Sequence, residues 1–331
     1  MTVLCSCSDT SDEPAGIPTM AAPAYAVTSE ETSVADETTV SVTTVSSAEI
    51  SATATAAAHK FRLAPDAEMI KISEPSCRAA AMYCTDDDTL LYADNIHVRT
   101  APASLTKLLT ASVALKYLSP DTVCTVGTEQ SMIGEGSSIC YVRPGQELLL
   151  SDLITGMLMA SGNDAAYAVA VNTARALDDP NMSDEDAVSF FCSVMNDFAS
   201  EIGMTESHFT TPDGWDSEDQ YTTAADLIIL AGYAMTVPEI SSITNVYEKD
   251  VVYYSGESNT WHNSNKLLDP DGVYYRPDVT GLKTGTTENA GSCLIASFEQ
   301  GGRTYITVVV GCSSDDDRYE LTLKLADMIP E

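Results

Sequence analysis

Hydrophobic positions along the chain follow two rhythms, one near a period of two and one near 3.6, and both are missing from the first sixth of the sequence. From Ser8 to Ala58 the residues are mostly Ser, Thr, Ala, Val and Glu, as in Val40-Ser-Val-Thr-Thr-Val-Ser-Ser. Such a stretch buries too little apolar surface to offset its ordering entropy, so residues 1–60 are expected to form a tether and residues 61–331 the folded domain. Ala79–Cys84 and Thr89–Tyr92, on either side of Asp86-Asp87-Asp88, predict a hairpin with a polar turn. Leu105, Leu108, Leu109, Ser112 and Leu115 keep helical spacing and predict a helix from Ser104 to Leu118, with Pro102 just ahead of it. Leu149–Ala160 predicts a second, buried helix with Ser151 as its N-cap, interrupted by a Ser-Gly-Asn turn. A third run starts at Asp164, and a fourth covers Asp184–Ile202 with Ser183 as cap. Cys293–Phe298 and Arg303–Gly311, joined through Gln300-Gly-Gly, predict a second hairpin, and Tyr319–Met328 a closing helix. Strands at both ends around a helical middle imply an α+β domain whose ends share one sheet.

Composition narrows the partners. The 331 residues are 44% hydrophobic, enough for a core, and 49 acidic against 16 basic residues give a net charge of -33. That field repels phosphate backbones, so nucleic acid is a poor partner. Nine cysteines without a C-x-x-C pair show no zinc or redox framework, and neither metal nor cofactor is expected. Cys124 with Cys140 and Cys77 with Cys84 could form one or two disulfides in an exported protein, and most of the cysteines are expected as buried free thiols. No apolar run reaches the length of a membrane span. Leu4-Cys5-Ser6-Cys7 is similar to the end of a bacterial lipoprotein signal, which would put lipid on Cys7; an ordinary polar N-terminus is the other reading.

The candidate chemistry starts at Ser104-Leu-Thr-Lys107. Three residues apart on a helix, the two side chains share a face, about 5–6 Å apart at Cβ. A serine needs a base, and a lysine serves as one when burial or neighbouring positive charge lowers its pKa. Of eight lysines only Lys107 has a serine three residues before it. Ser161-Gly-Asn163, between two apolar helices, can project a hydroxyl and an amide into a cleft. Lys283-Thr-Gly285 follows the strand-like Val279–Leu282, where a glycine lets a ligand backbone approach a sheet edge.

Taken in order, S-x-x-K, S-G-N and K-T-G resemble the low-molecular-weight penicillin-binding proteins of the D-Ala-D-Ala carboxypeptidase family. Gly203–Trp215, Tyr221–Leu227, Asn263–Leu268 and Gly281–Gly291 are similar to that family too, so the resemblance runs from Phe61 to Glu331. It implies a β-lactamase/transpeptidase-like fold, an antiparallel sheet flanked by helices with a mostly helical subdomain. It implies Ser104 as nucleophile, Lys107 as base and Ser161 as proton relay, acting on peptidoglycan stem peptides that end in D-Ala-D-Ala. Backbone N–H groups of Ser104 and Thr286 would form the oxyanion hole, Asn163 would contact the substrate amide, and Lys283, Thr284 and Gly285 would form the subsite for its terminal carboxylate. β-lactam antibiotics would acylate the same serine. Family members often carry a C-terminal β-domain and anchor helix, absent here after Asp327-Met-Ile-Pro-Glu; an extracytoplasmic enzyme, secreted or anchored at its N-terminus, is expected.

Three rivals are weaker. A β-lactamase of this fold would carry a Glu-x-x-Leu-Asn loop, and none lies between Asn163 and Lys283. A Ser-His-Asp hydrolase would need a G-x-S-x-G elbow, and His59, His97, His208 and His262 are expected in surface or structural roles. A non-catalytic peptidoglycan-binding protein would not need both nucleophile and base.

Overall fold

The computed structural model describes residues 60–65, 67, 70, 72 and 75–329. The tether, Cys5, Cys7 and His59 lie outside the described residues. In chain order come β1 (Arg62–Leu63), β2 (Ala79–Cys84), β3 (Thr89–Asp94), α1 (Thr106–Tyr117), β4 (Val123–Thr125) and β5 (Glu147–Leu149). Next are α2 (Leu150–Met159), α3 (Asn163–Leu177), α4 (Asp184–Ile202), α5 (Ala224–Thr236) and α6 (Pro238–Thr244), then β6 (Glu248–Val252) and β7 (Ser258–His262). The last elements are β8 (Val279–Thr287), β9 (Gly291–Gln300), β10 (Arg303–Cys312) and α7 (Asp315–Ala326).

The main sheet runs β1-β3-β2-β10-β9-β8, antiparallel except for the β1–β3 pair. Its centre joins the two ends of the domain, with Ala79 opposite Val310 and Cys84 opposite Tyr305. The pleat sends alternate residues of β2 to opposite faces. Ala79, Ala81 and Tyr83 enter a large core with residues of α1 to α6, while Ala80, Met82 and Cys84 enter a smaller one with α7. Burial on both faces explains why β10 is a continuous apolar run over Val308–Val310 instead of an alternation. The β9–β10 turn is built from Gly301 and Gly302 at φ +61 and +72; two successive positive φ angles match the twist of a tight hairpin and suit glycine.

Local signals set most helix ends. Ser183 caps α4 by accepting the Asp186 N–H at 3.1 Å, and Gly203 ends it at φ +99. Ser151 is not the cap of α2. Strand β5 runs straight into the helix, Leu149 takes the cap position, and Ser151 lies in the first turn, its carbonyl accepting the Thr155 hydroxyl. The closing helix starts at Asp315, earlier than its apolar pattern suggests, because Ser314 caps it and three aspartates sit at its positive end. Helix α5 gives no amphipathic stripe: packed against α1, α4, α6 and β10, it is apolar on nearly every side.

Neither expected disulfide forms, and the described cysteines are mostly the buried free thiols expected. Cys77 is bonded to Cys312, while Cys84, Cys124 and Cys140 are buried free thiols. The reason is topological: β10 returns antiparallel to β2, bringing its end back to the residue just ahead of that strand. No single helix among the described residues is long and apolar enough to cross a membrane. Cross-linking residues 235 apart constrains the unfolded chain strongly, so Cys312→Ser is expected to lower stability by about 2–4 kcal/mol in urea titrations, with the wild type falling equally when reduced. An unchanged midpoint would show that the bond contributes nothing.

Candidate active site

Ser104 lies on a short 3₁₀ turn, Ala103–Leu105, so the helix expected from Ser104 begins only at Thr106. Ala103 has φ +48, a left-handed conformation that costs a non-glycine residue about 1 kcal/mol or more. Two glycines hold the turn in place. A Cβ at Gly214 would lie 1.8 Å from the Ala103 carbonyl oxygen, and one at Gly285 would lie 3.0 Å from Ala103 Cβ and 3.1 Å from the Ser104 nitrogen. Gly285 thus admits the chain's own Ser104 turn, where the sequence suggested approach by a ligand backbone.

Lys107, in the first turn of α1, is fully buried. Its Nζ lies 2.8 Å from Ser104 Oγ, 2.7 Å from Asn163 Oδ1 and 2.9 Å from the Asp213 carbonyl oxygen. A neutral amine donates two hydrogens and offers one lone pair. With Asn163 and Asp213 taking the hydrogens, the lone pair is left to accept the Ser104 proton. Burial lowers the Lys107 pKa to about 8, against the opposing pull of the Asp213 and then the Asp164 charge.

The S-G-N turn links α2 to α3. Ser161 is 8% exposed and has φ +58. Gly162 must be glycine, since a Cβ there would lie 2.6 Å from Cys140 Sγ. Asn163 opens α3 and donates through Nδ2 to Ser137 Oγ at 2.9 Å. Asp164 next to it accepts backbone N–H groups of Cys140, Val142 and Ala165 at 2.9, 3.1 and 3.0 Å, fixing the loop that forms one rim of the site.

The K-T-G residues lie within β8, the edge strand of the main sheet. Lys283 is buried and donates to the Thr284 carbonyl at 3.0 Å. Burial, followed by the neighbouring Lys107 and Arg318 charges, holds its pKa well below the usual lysine range. The Thr284 and Ser264 hydroxyls are 2.7 Å apart. Arg318 from α7 donates to the Gly285 carbonyl and Thr286 Oγ1, both at 3.1 Å, and pairs with Asp315.

A cleft of about 430 Å³ lies over these groups, with Ser104, Asn163 and Thr286 in its walls beside Ser137, Asp213 and Trp215. Lys107, Ser161, Lys283, Thr284 and Gly285 are buried. Sequence patterns did not single out Arg318, Asp213 or Asp164, none of which belongs to a three-residue motif; an aspartate opening a helix was the one available hint, for Asp164. The described histidines are remote from the cleft walls: His97 and His262 pair with Glu206 and Glu248, and His208 contacts the Asp219 carbonyl.

A family model described as D-alanyl-D-alanine carboxypeptidase matches residues 68–314. The chain belongs to this family. Among similar proteins, D-alanyl-D-alanine carboxypeptidase DacF of Bacillus subtilis is 30% identical over 254 residues, covering 76% of this chain and 61% of the relative. DacC of Escherichia coli is 32% identical over 287 residues, covering 82% and 66%. The chain therefore spans less than two thirds of the length of these relatives. The crystal structure of the Streptomyces K15 DD-transpeptidase superposes with a TM-score of 0.69 at 26% identity, over 77% of this chain and 98% of that one. DacD from Francisella tularensis gives 0.65 at 26% identity, over 78% and 70%. The β-lactamase/transpeptidase-like α+β fold is common to these DD-peptidases and this family member.

Because Lys107 can accept a proton only when neutral, and its pKa sits at about 8, acylation of Ser104 by a chromogenic β-lactam is expected to rise with pH through about 8 and level off above. Stopped-flow rates across this range check it; a flat profile would remove Lys107 as the base.

Proposed function

We propose that the protein is a serine-type D-Ala-D-Ala carboxypeptidase of the bacterial cell envelope, removing the terminal D-alanine of peptidoglycan stem peptides through a Ser104 acyl-enzyme. The observation carrying this reading is the 2.8 Å contact between Ser104 Oγ and the fully buried Lys107 amine, beneath a cleft that exposes the serine. Ser104 Oγ attacks the carbonyl between the last two D-alanines as its proton passes to Lys107. The tetrahedral oxyanion is assigned to the N–H groups of Ser104 and Thr286, which donate in a site arranged before substrate arrives. As the intermediate collapses the C–N bond breaks, and the proton on Lys107 reaches the leaving amine through Ser161. Water then attacks the acyl-enzyme, releasing the shortened peptide and regenerating Ser104.

Asn163 is assigned to the substrate amide, and Lys283, Thr284 and Gly285 to the terminal carboxylate. The charge pattern supports the second assignment. Burial, and then the Lys107 and Arg318 charges, depress Lys283 beneath the cleft in a chain of net charge -33, and a bound carboxylate would favour its charged form. β-lactams present a strained amide and a carboxylate to the same groups, and would remain as covalent inhibitors while deacylation is slow. Work on peptidoglycan places the enzyme outside the cytoplasm, where a Cys77–Cys312 disulfide persists. Tethering through lipid on Cys7 and a linker up to residue 60 belongs to the same reading.

D-alanine release from a peptide ending in Lys-D-Ala-D-Ala, measured for the wild type and Ser104→Ala, tests the proposal. Release that falls at least about a thousandfold in the variant supports it. No release from either protein, with penicillin labelling of Ser104 intact, would favour a β-lactamase-like descendant; no labelling would favour a binding protein.

A further inference from the structure

Two carboxylates face Lys107, and they are differently engaged. Asp164 has both oxygens hydrogen-bonded, Oδ1 to the Cys140 and Ala165 N–H groups and to the Cys140 thiol, Oδ2 to the Val142 N–H. Its charge is occupied in holding the rim loop. Asp213 is 1% exposed in the cleft wall, and its Oδ1 accepts the Trp215 N–H at 3.0 Å, but Oδ2 has no hydrogen-bond partner among the described residues. Its own carbonyl accepts from Lys107 Nζ at 2.9 Å, so the backbone of the same residue is anchored to the amine. A buried carboxylate oxygen without a donor is costly to keep, and in an active site such a cost points to a role.

We propose that Asp213 is a positioning residue that acts as counter-ion to Lys107, stabilising the ammonium formed when Lys107 takes the Ser104 proton. This rests on the Ser104–Lys107 assignment above. In the step concerned the Ser104 O–H bond breaks, the proton joins the Lys107 lone pair, and the serine oxygen's electron pair forms the bond to the substrate carbonyl carbon. Asp213 takes no part in the bond changes and touches neither the proton nor the substrate. The groups facing Lys107 are Asp213 from the loop after α4, Asp164 from α3, Cys140 from the rim loop and Lys283 from β8; Tyr167 of α3 and Cys192 of α4 face Asp213 in turn. Of these, Asp213 combines a carboxylate oxygen without a donor with direct backbone contact to the amine.

The test is the pH profile of Ser104 acylation by a chromogenic β-lactam in Asp213→Asn, Asp213→Ser and Asp213→Glu, each checked for cooperative melting. Removing the charge is expected to move the rising limb toward lower pH by about one unit and to lower the plateau about tenfold, whereas Asp213→Glu keeps the limb near its wild-type position. A purely structural role would lower the plateau and leave the midpoint in place. An unmoved midpoint in a folded neutral variant overturns the proposal. So does failure of both neutral variants to fold while Asp213→Glu folds, since the carboxylate would then serve the fold. Lys107→Ala separates the layers: if acylation survives it unchanged, the underlying base assignment fails, and if acylation is lost while Asp213→Asn keeps the wild-type midpoint, only the counter-ion role fails.

Discussion

The site depends on one constraint: an amine enclosed in the protein interior must find hydrogen-bonding partners there, because water does not reach it. Lys107 finds three, and each comes from a different part of the chain. Ser104 belongs to the turn before α1, Asn163 to the first turn of α3, and the Asp213 carbonyl to the loop beyond α4. Displacing any of these segments leaves a buried donor unsatisfied, at a cost of about 1–3 kcal/mol. The packing that creates the hydrogen-bond set also depresses the lysine pKa, so structural order and basicity have a common origin.

The frame around that amine is fixed by close backbone approach. Gly285 on the edge strand and Gly214 in the opposite loop both press on the Ser104 turn at distances that a side chain would not allow. Gly162 does the same for Cys140 behind the S-G-N turn. Cleft walls set in this way are held by β8, α1 and α3, elements rooted in the large core that fills one face of the sheet. Helix α7, on the other face, sends Arg318 through to the Gly285 and Cys293 carbonyls, coupling the smaller core to the K-T-G segment.

Electrostatics in the site run against the protein as a whole. The chain carries a large excess of carboxylates, yet beneath the cleft burial, and then the neighbouring Lys107 and Arg318 charges, hold the Lys283 pKa well below the usual lysine range. Proximity of Lys107 and Lys283 disfavours protonation of both at once, which keeps a neutral amine available near neutral pH. Burial lowers the Lys107 pKa, and the Asp213 and then the Asp164 charge oppose it, so it settles at about 8 instead of falling further.

By itself the sequence determined the elements whose signals are local. The spacing of Leu105, Leu108 and Leu109 marked α1, Ser183 marked the start of α4, and Gly301-Gly302 marked the β9–β10 turn, because helix periodicity, capping and turn geometry are properties of a few adjacent residues. The three motifs were legible for the same reason, each being a short word with its own chemistry. Tertiary structure decided what depends on distant segments meeting. Cys77 pairs with Cys312, and not with Cys84 nearby, because β2 and β10 are neighbours in the sheet. Asp213 and Arg318 reach the site only through the fold of the loop after α4 and the docking of α7; Asp213 lies in the family-like stretch Gly203–Trp215, which gave it no role, and no pattern marks Arg318. Helix α5 was hidden by its completeness of burial, and Ser151 lost its cap role to a strand that runs directly into the helix. Local sequence encodes which conformation a segment prefers, whereas the partners of a buried polar group are set by chain topology, which periodicity does not record.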